Sequence, residues 1–192
     1  MTTENALILI DFINDIVHQD GKLAKKGYHD FTVRHKTPNA LQATLEHARA
    51  KGWLVCHVRV GFLPTYVDHP SHSPLFGAAK QYRALCQNEW GTEFNEIALP
   101  SEKEPIVQKS RVSAFYNTNL DTILRINGTR NVYIAGVATD LAVEAAVRDA
   151  HDRDYLAYVI SDCCAAASDE DHQKALTTLS KVAKVVNSKN LT

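Results

Sequence analysis

The sequence predicts an α/β fold, with a mostly parallel sheet and helices on both of its faces. Three observations predict it. Short apolar runs such as Ala6 to Phe12 and Asn131 to Val137 lack polar alternation, the habit of strands buried on both faces. Stretches with apolar residues at helical spacing separate these runs, which implies βαβ units. Acidic or turn-forming residues stand just beyond the runs, where open sheets of this kind bind ligands.

Taken in order, Ala6 to Phe12 is the first strand, with Asp11 near its carboxyl end. Pro38 to Lys51 is a helix with Ala40, Leu41, Leu45 and Ala48 at helical spacing. Thr37 is its expected cap, Pro38 suits its first turn and Gly52 ends it. Trp53 to Val60 is the second strand. From Gly61 to Pro105 the periodicity weakens, punctuated by Pro64, Pro70, Pro74 and Pro100, with one short helix expected around Ala78 to Cys86. A stretch of this kind is commonly a binding loop or a partner surface. Pro105 to Lys109 is a short strand, Leu120 to Asn127 a helix closed by Gly128, and Asn131 to Val137 a strand. Thr139 to Asp154 reads as one long helix with Ala142, Val143, Ala146, Val147 and Ala150 on one face. Tyr155 to Ser161, Asp169 to Lys181 and Val182 to Asn187 complete the alternation as strand, helix and strand.

The bulk properties narrow the class. The 192 residues fit one domain spanning 1–192, and 45% hydrophobic residues suffice for its core. A net charge of -1 offers no basic field for nucleic acid. No signal peptide and no membrane-spanning run is apparent. Cys56, Cys86, Cys163 and Cys164 lack zinc-site spacing and read as buried, reduced thiols of a cytoplasmic protein.

Three places carry candidate chemistry. Asp11, at the end of an apolar strand, must be paired or solvated, and otherwise caps a turn. Lys109 ends an extended piece and by itself reads more readily as an exposed, solvated charge than as a functional one. The strand-to-helix turn of Val137, Ala138, Thr139 and Asp140 offers free N–H groups to an oxyanion, or is a plain connection capped by Thr139 or Asp140.

Together these segments resemble the isochorismatase-like hydrolases, which include the nicotinamidases. The matching residues run in order: Asp-Phe-Ile-Asn-Asp from Asp11, Lys-Ser-Arg-Val-Ser-Ala-Phe from Lys109, and Gly-Val-Ala-Thr-Asp from Gly136. The last continues into Val-Glu-Ala-Ala-Val-Arg-Asp-Ala from Val143, and Ser161-Asp-Cys-Cys and Asp171-His172 follow. The resemblance spans nearly the whole chain. It implies a Rossmann-like three-layer αβα sandwich, a triad of Asp, Lys and Cys, and often a cis peptide that here would join Val137 to Ala138. Asp11 and Lys109 take the first two places of the triad. The third is Ala142, so the family's nucleophile position is inert in this chain. Cys163 and Cys164, near a strand end, are weak substitutes.

A thiolate attacks carbonyls and alanine does not. The resemblance therefore points to the isochorismatase type, in which an acid protonates a vinyl ether and water adds, with no thiol involved. Asp11 would be the acid and Lys109 would tune it. Two alternatives stand beside it: an amidase whose cysteine at 142 was replaced by Ala, and a catalytically silent binding member. Nicotinamidases place Asp-x-His zinc ligands where this chain has His57-Val-Arg59, so no metal and no cofactor is expected. Asp68, His69 and His72 read as surface loop residues. Arg59, Arg111 and Phe115 are the expected substrate-binding residues, the arginines facing a small, anionic substrate. Tyr66, Phe76 and Trp90 either wall a pocket or fill an interface. A homo-oligomer, dimer or tetramer, is the expected assembly, with a small molecule as the only other partner.

Overall fold

A computed structural model describes residues 3–191. Six strands form one sheet in the order β3-β2-β1-β4-β5-β6, and every pairing is parallel. They are β1 (Asn5–Ile10), β2 (Leu54–Val60), β3 (Ile106–Lys109), β4 (Asn131–Gly136), β5 (Leu156–Ile160) and β6 (Lys184–Val186). The central pair, β1 and β4, is buried on both faces almost throughout, which explains its unbroken apolar runs. The edge strands β3 and β6 are shorter and more exposed.

The flanking helices are α1 (Asn14–Val17), α2 (Tyr28–Arg34), α3 (Thr37–Ala50), α4 (Ala79–Tyr82), α5 (Leu120–Ile126), α6 (Glu144–His151) and α7 (Asp169–Leu179). Leu41, Leu45 and Ala48 of α3 and Ala146, Val147 and Ala150 of α6 are buried in the core, as their spacing requires. Gly52 (φ 68°) and Gly128 (φ 74°) leave α3 and α5 in the left-handed conformation.

Three local expectations need correction. Thr37 is the first residue of α3 and makes no capping bond, because Lys36, at φ 55°, turns the chain into the helix. The helix after β4 is not one long α-helix. It opens as a π-helical turn, Thr139–Val143, in which Val143 N–H reaches back five residues to Ala138 O (3.1 Å). Such widened turns concentrate at functional sites. The expected helix of 78–86 is a single turn, because Arg83 and Leu85 adopt positive φ and end it. Helices α1 and α2 are additions that the apolar spacing did not reveal.

Among the described residues no helix is long and apolar enough to cross a membrane. The strand order reverses direction between β1 and β4. That reversal opens a crevice beyond their carboxyl ends, where ligands of doubly wound sheets bind.

Candidate active site

Asp11 follows β1 directly and lies at this crevice. Its backbone adopts φ 60°, a conformation that Asp tolerates better than most residues. The reversal carries its carboxylate sideways, across the end of β2 toward β3. Asp11 N–H donates to Val58 O (2.8 Å), and Val60 N–H donates to Asp11 Oδ1 (2.7 Å). Val60 is also the register partner of Lys109, the last residue of β3. That pairing sets Lys109 Nζ 2.7 Å from Asp11 Oδ2, with both side chains almost fully buried. The ammonium also donates to Arg111 O (3.2 Å) and Val112 O (2.9 Å).

Burial pushes the Asp11 carboxyl above its ordinary 3.8, against the opposing pull of Lys109 and of the Val60 N–H. Asp11 therefore holds its proton more tightly than a surface carboxylate does.

Asp11 and Lys109 lie in a cavity of about 270 Å³. Its far wall is the turn after β4, with Val137, Ala138, Leu141 and Ala142 on the lining. The Val137–Ala138 peptide is cis. Among the described residues, Ala138 N–H has no backbone acceptor. The Ala142 methyl faces the same space as the acid and the ammonium. The remaining wall is largely apolar, from Ile16, Leu23, Tyr28, Leu75, Phe76 and Leu85.

Not every sequence-expected residue reaches this space. Thr139 is fully buried behind the turn, where its hydroxyl bonds His172 Nδ1 (2.8 Å). Asp140 is off the lining too, and neither residue caps the turn with its side chain. Arg59 points away, because side chains alternate along a strand and its neighbour Val60 is the one on the lining. Its guanidinium bonds Gln108 Oε1 (3.0 Å) and Thr92 O (3.3 Å) and lies over Phe94. Arg111 folds onto Asp68 O (3.0 Å) and Ser110 O (2.6 Å). Phe115 packs against Tyr155 beneath the Arg153 guanidinium. All three are absent from the cavity wall, so none is assigned a substrate contact here.

Of the aromatic residues, Phe76 lines the cavity. Tyr66 is buried with its hydroxyl on Ala84 O (2.8 Å), and Trp90 is exposed against His18. Sequence reading missed Lys22, Lys26, Tyr28 and Tyr82, which complete the lining from short helices and turns too brief to show a period.

The cysteines stand apart from the chemistry. Cys163 bonds Thr44 Oγ1 (3.3 Å), and burial raises its thiol far above the ordinary value. Burial pushes Cys56 and Cys164 up to about 12. None of the four lines the cavity.

The zinc arrangement of nicotinamidases does not fit these residues. His57 Nε2 bonds Glu104 Oε2 (2.9 Å) in a fully buried setting off the cavity, and the Arg59 cation stands two residues on. Among the described residues no group of three His, Cys, Asp or Glu side chains could hold a metal ion. Asp68 accepts from Leu63 N–H (3.0 Å), and His69 Nδ1 bonds Tyr66 O (2.7 Å).

The parallel sheet, with a buried carboxylate–ammonium pair beside a cavity at its switch point, defines a Rossmann-like α/β fold with a candidate ligand site beyond the strand ends. Residues 5–190 match the family model of the Isochorismatase domain, and the chain belongs to this family of hydrolases. It is similar to an isochorismatase-like hydrolase from Alkaliphilus metalliredigens, at 27% identity and TM-score 0.76, covering 97% of this chain and 96% of that one. The N-carbamoylsarcosine amidase of Thermoplasma acidophilum is similar at 27% identity and TM-score 0.77, with 98% and 99% covered. The pyrazinamidase of Pyrococcus horikoshii, solved in complex with zinc, is similar at 28% identity and TM-score 0.74, with 96% and 99% covered.

Proposed function

We propose that this hydrolase acts on a small anionic molecule by acid–base chemistry at Asp11, without a thiol nucleophile or a metal, and that the reaction is vinyl ether hydrolysis. One observation carries the reading: a buried carboxyl with a raised pKa, bonded to Lys109, faces an alanine methyl across an apolar cavity. The arrangement provides a proton donor and leaves out a nucleophile.

The Asp11 proton adds to the terminal vinyl carbon, and the C=C pair forms the new C–H bond. A lone pair of the ether oxygen closes an oxocarbenium ion. Water adds to its carbon and returns a proton to the Asp11 carboxylate. The hemiketal hydroxyl then loses its proton and forms the C=O bond as the C–O bond to the ether oxygen breaks, and that oxygen takes up a proton, which releases a ketone and an alcohol. Lys109 holds the carboxylate form as it appears, and the Val60 N–H keeps Asp11 Oδ1 in place. Ala138 N–H is free to steady negative charge on the substrate.

The similar amidases favour one second reading, in which the scaffold is an amidase disabled at position 142. A metabolite-library thermal-shift screen, followed by mass detection of hydrolysed product, tests the first reading. Product is expected from the wild type and not from folded Asp11→Asn. Equal product from both proteins overturns it.

A further inference from the structure

The loop that follows β3 supplies most of what holds Lys109. The ammonium donates to Asp11 Oδ2, Arg111 O and Val112 O, and the last two acceptors belong to this loop. A lysine has three protons to donate, and all three are committed. The pair at Asp11 therefore depends on where the Arg111 and Val112 carbonyls point.

The loop's own backbone does not fix that direction. Among the described residues, 110–114 make no backbone-to-backbone hydrogen bond. Side chains hold the loop instead. Arg111 Nη1 donates to Asp68 O (3.0 Å). Ser113 Oγ accepts from Phe115 N–H (3.1 Å) and donates its proton to Asp149 Oδ2, on α6. Asp149 is itself held. Its Oδ1 accepts from Arg153 Nη1 (2.5 Å), and that guanidinium lies over the Phe115 ring, 5.1 Å from its centroid. The end of α6 thus grips the loop at Ser113 and at Phe115. The start of α6 continues the π-helical turn that bears Ala142. One hydrogen bond, Ser113 to Asp149, therefore joins the helix behind the turn to the loop behind the ammonium.

We propose that Asp149 is a positioning residue for the Asp11–Lys109 pair: through Ser113 it fixes the loop whose Arg111 and Val112 carbonyls hold the ammonium against the carboxyl. Its meaning for catalysis rests on the acid–base reading of Asp11. The tether itself does not, because the titration of Asp11 reports it without a substrate. Few groups act on that titration. Lys109 faces Asp11 from β3, and β2 offers it the Val60 N–H. The turn after β4 offers the apolar Val137, Ala138 and Ala142, and Lys22 and Lys26 stand on the exposed cavity rim. An ammonium that has lost its loop acceptors sits less firmly on Asp11. The carboxylate then loses stabilisation, and Asp11 holds its proton more tightly.

Carbon-13 NMR of the Asp11 carboxyl across a pH titration of the full chain tests the proposal, the resonance being identified by its loss in Asp11→Asn. Ser113→Ala and Asp149→Ala remove the tether and are expected to raise the Asp11 midpoint by about 1 pH unit. Ser113→Thr keeps a hydroxyl and Asp149→Asn keeps an acceptor oxygen, so both are expected to hold the midpoint near the wild-type value. Charge alone has the opposite sign: removing the Asp149 carboxylate would lower the midpoint, and alike in Asp149→Ala and Asp149→Asn. Ser113 and Asp149 are both partly exposed, and one folded variant of the two alanine changes is enough for the measurement. A merely structural bond would lower stability in urea and leave the midpoint in place. An unchanged or lowered midpoint in a folded alanine variant overturns the proposal, as does an equal rise in Asp149→Asn. That failure leaves the Asp11 chemistry standing, and an active Asp11→Asn protein leaves the tether standing.

Discussion

Lys109 Nζ lies 2.7 Å from Asp11 Oδ2, although β2 separates the strands that carry them. Val60, at the end of β2, links the two by donating its N–H to Asp11 and pairing in register with Lys109. The carboxylate–ammonium pair is thus held by the ends of β2 and β3, which fix it more firmly than a loop would.

The raised pKa of Asp11 sets the direction of the pH profile. Turnover that needs the protonated acid is highest below the folded pKa and falls as pH rises through it. A kcat profile with this descending limb, absent from any residual activity of Asp11→Asn, is the expected result. A profile that stays level across that limb contradicts the assignment. Asn tolerates the positive φ of position 11, so the variant is expected to fold. The loss in kcat should be about 10²- to 10⁴-fold.

Removing the ammonium leaves Asp11 buried without its partner. Lys109→Met should cost about 3–5 kcal/mol, read by urea unfolding. The sign of the pH dependence follows from linkage. A folded carboxyl with a raised pKa contributes stability in full below its unfolded 3.8 and loses it as pH rises through the folded value. Lys109→Met raises that value further, so its penalty should be larger at about pH 8 than at about pH 5.

The native thiols should resist alkylation. All four are buried, and burial holds Cys56 and Cys164 at about 12. Iodoacetamide is expected to label none of them in the folded protein. Ala142 is only 5% exposed, but its methyl lies on the cavity, so Ala142→Cys should be labelled once by intact-mass analysis. The same variant should hydrolyse no member of an amide panel. Thiol-dependent amide hydrolysis in it would favour the disabled-amidase reading.

Glu104 ties His57, midway along β2, to Arg49 of α3. Burial raises its carboxyl, but hydrogen bonds from Arg49, Ser101 N–H and His57 outweigh that and hold it at about 2. Its contribution to stability is present above its ordinary 4.5 and lost as pH falls from there toward about 2. Glu104→Gln should cost about 1.5–3 kcal/mol at neutral pH and flatten this acid limb of the stability curve. Equal stability of variant and wild type at neutral pH would contradict the network.

The parts of this molecule legible in the sequence are those with periodic or terminal signals. β1 and β4 are continuous apolar runs because both faces are covered, and Asp11 is conspicuous as a charge ending one of them. Lys109 alone is ambiguous, and it gains meaning only from the register that sets it beside Val60. The rim was not legible. Its placement depends on Asn14 Nδ2 donating to Trp90 O (3.0 Å), Asn95 Nδ2 donating to Asn14 Oδ1 (2.9 Å) and Leu85 N–H donating to Asp15. Bonds between distant short segments leave no period to read. Arg59 and Arg111 misled for a related reason: a cation near a strand end points to substrate only if strand alternation or loop geometry turns it inward.

The most direct test of thiol-free acid chemistry compares two proteins on one vinyl ether substrate found by the screen: wild type exhaustively treated with iodoacetamide, and untreated, folded Asp11→Asn. The account predicts full turnover by the first and none above background by the second. Activity lost on alkylation, or retained by Asp11→Asn, would contradict it.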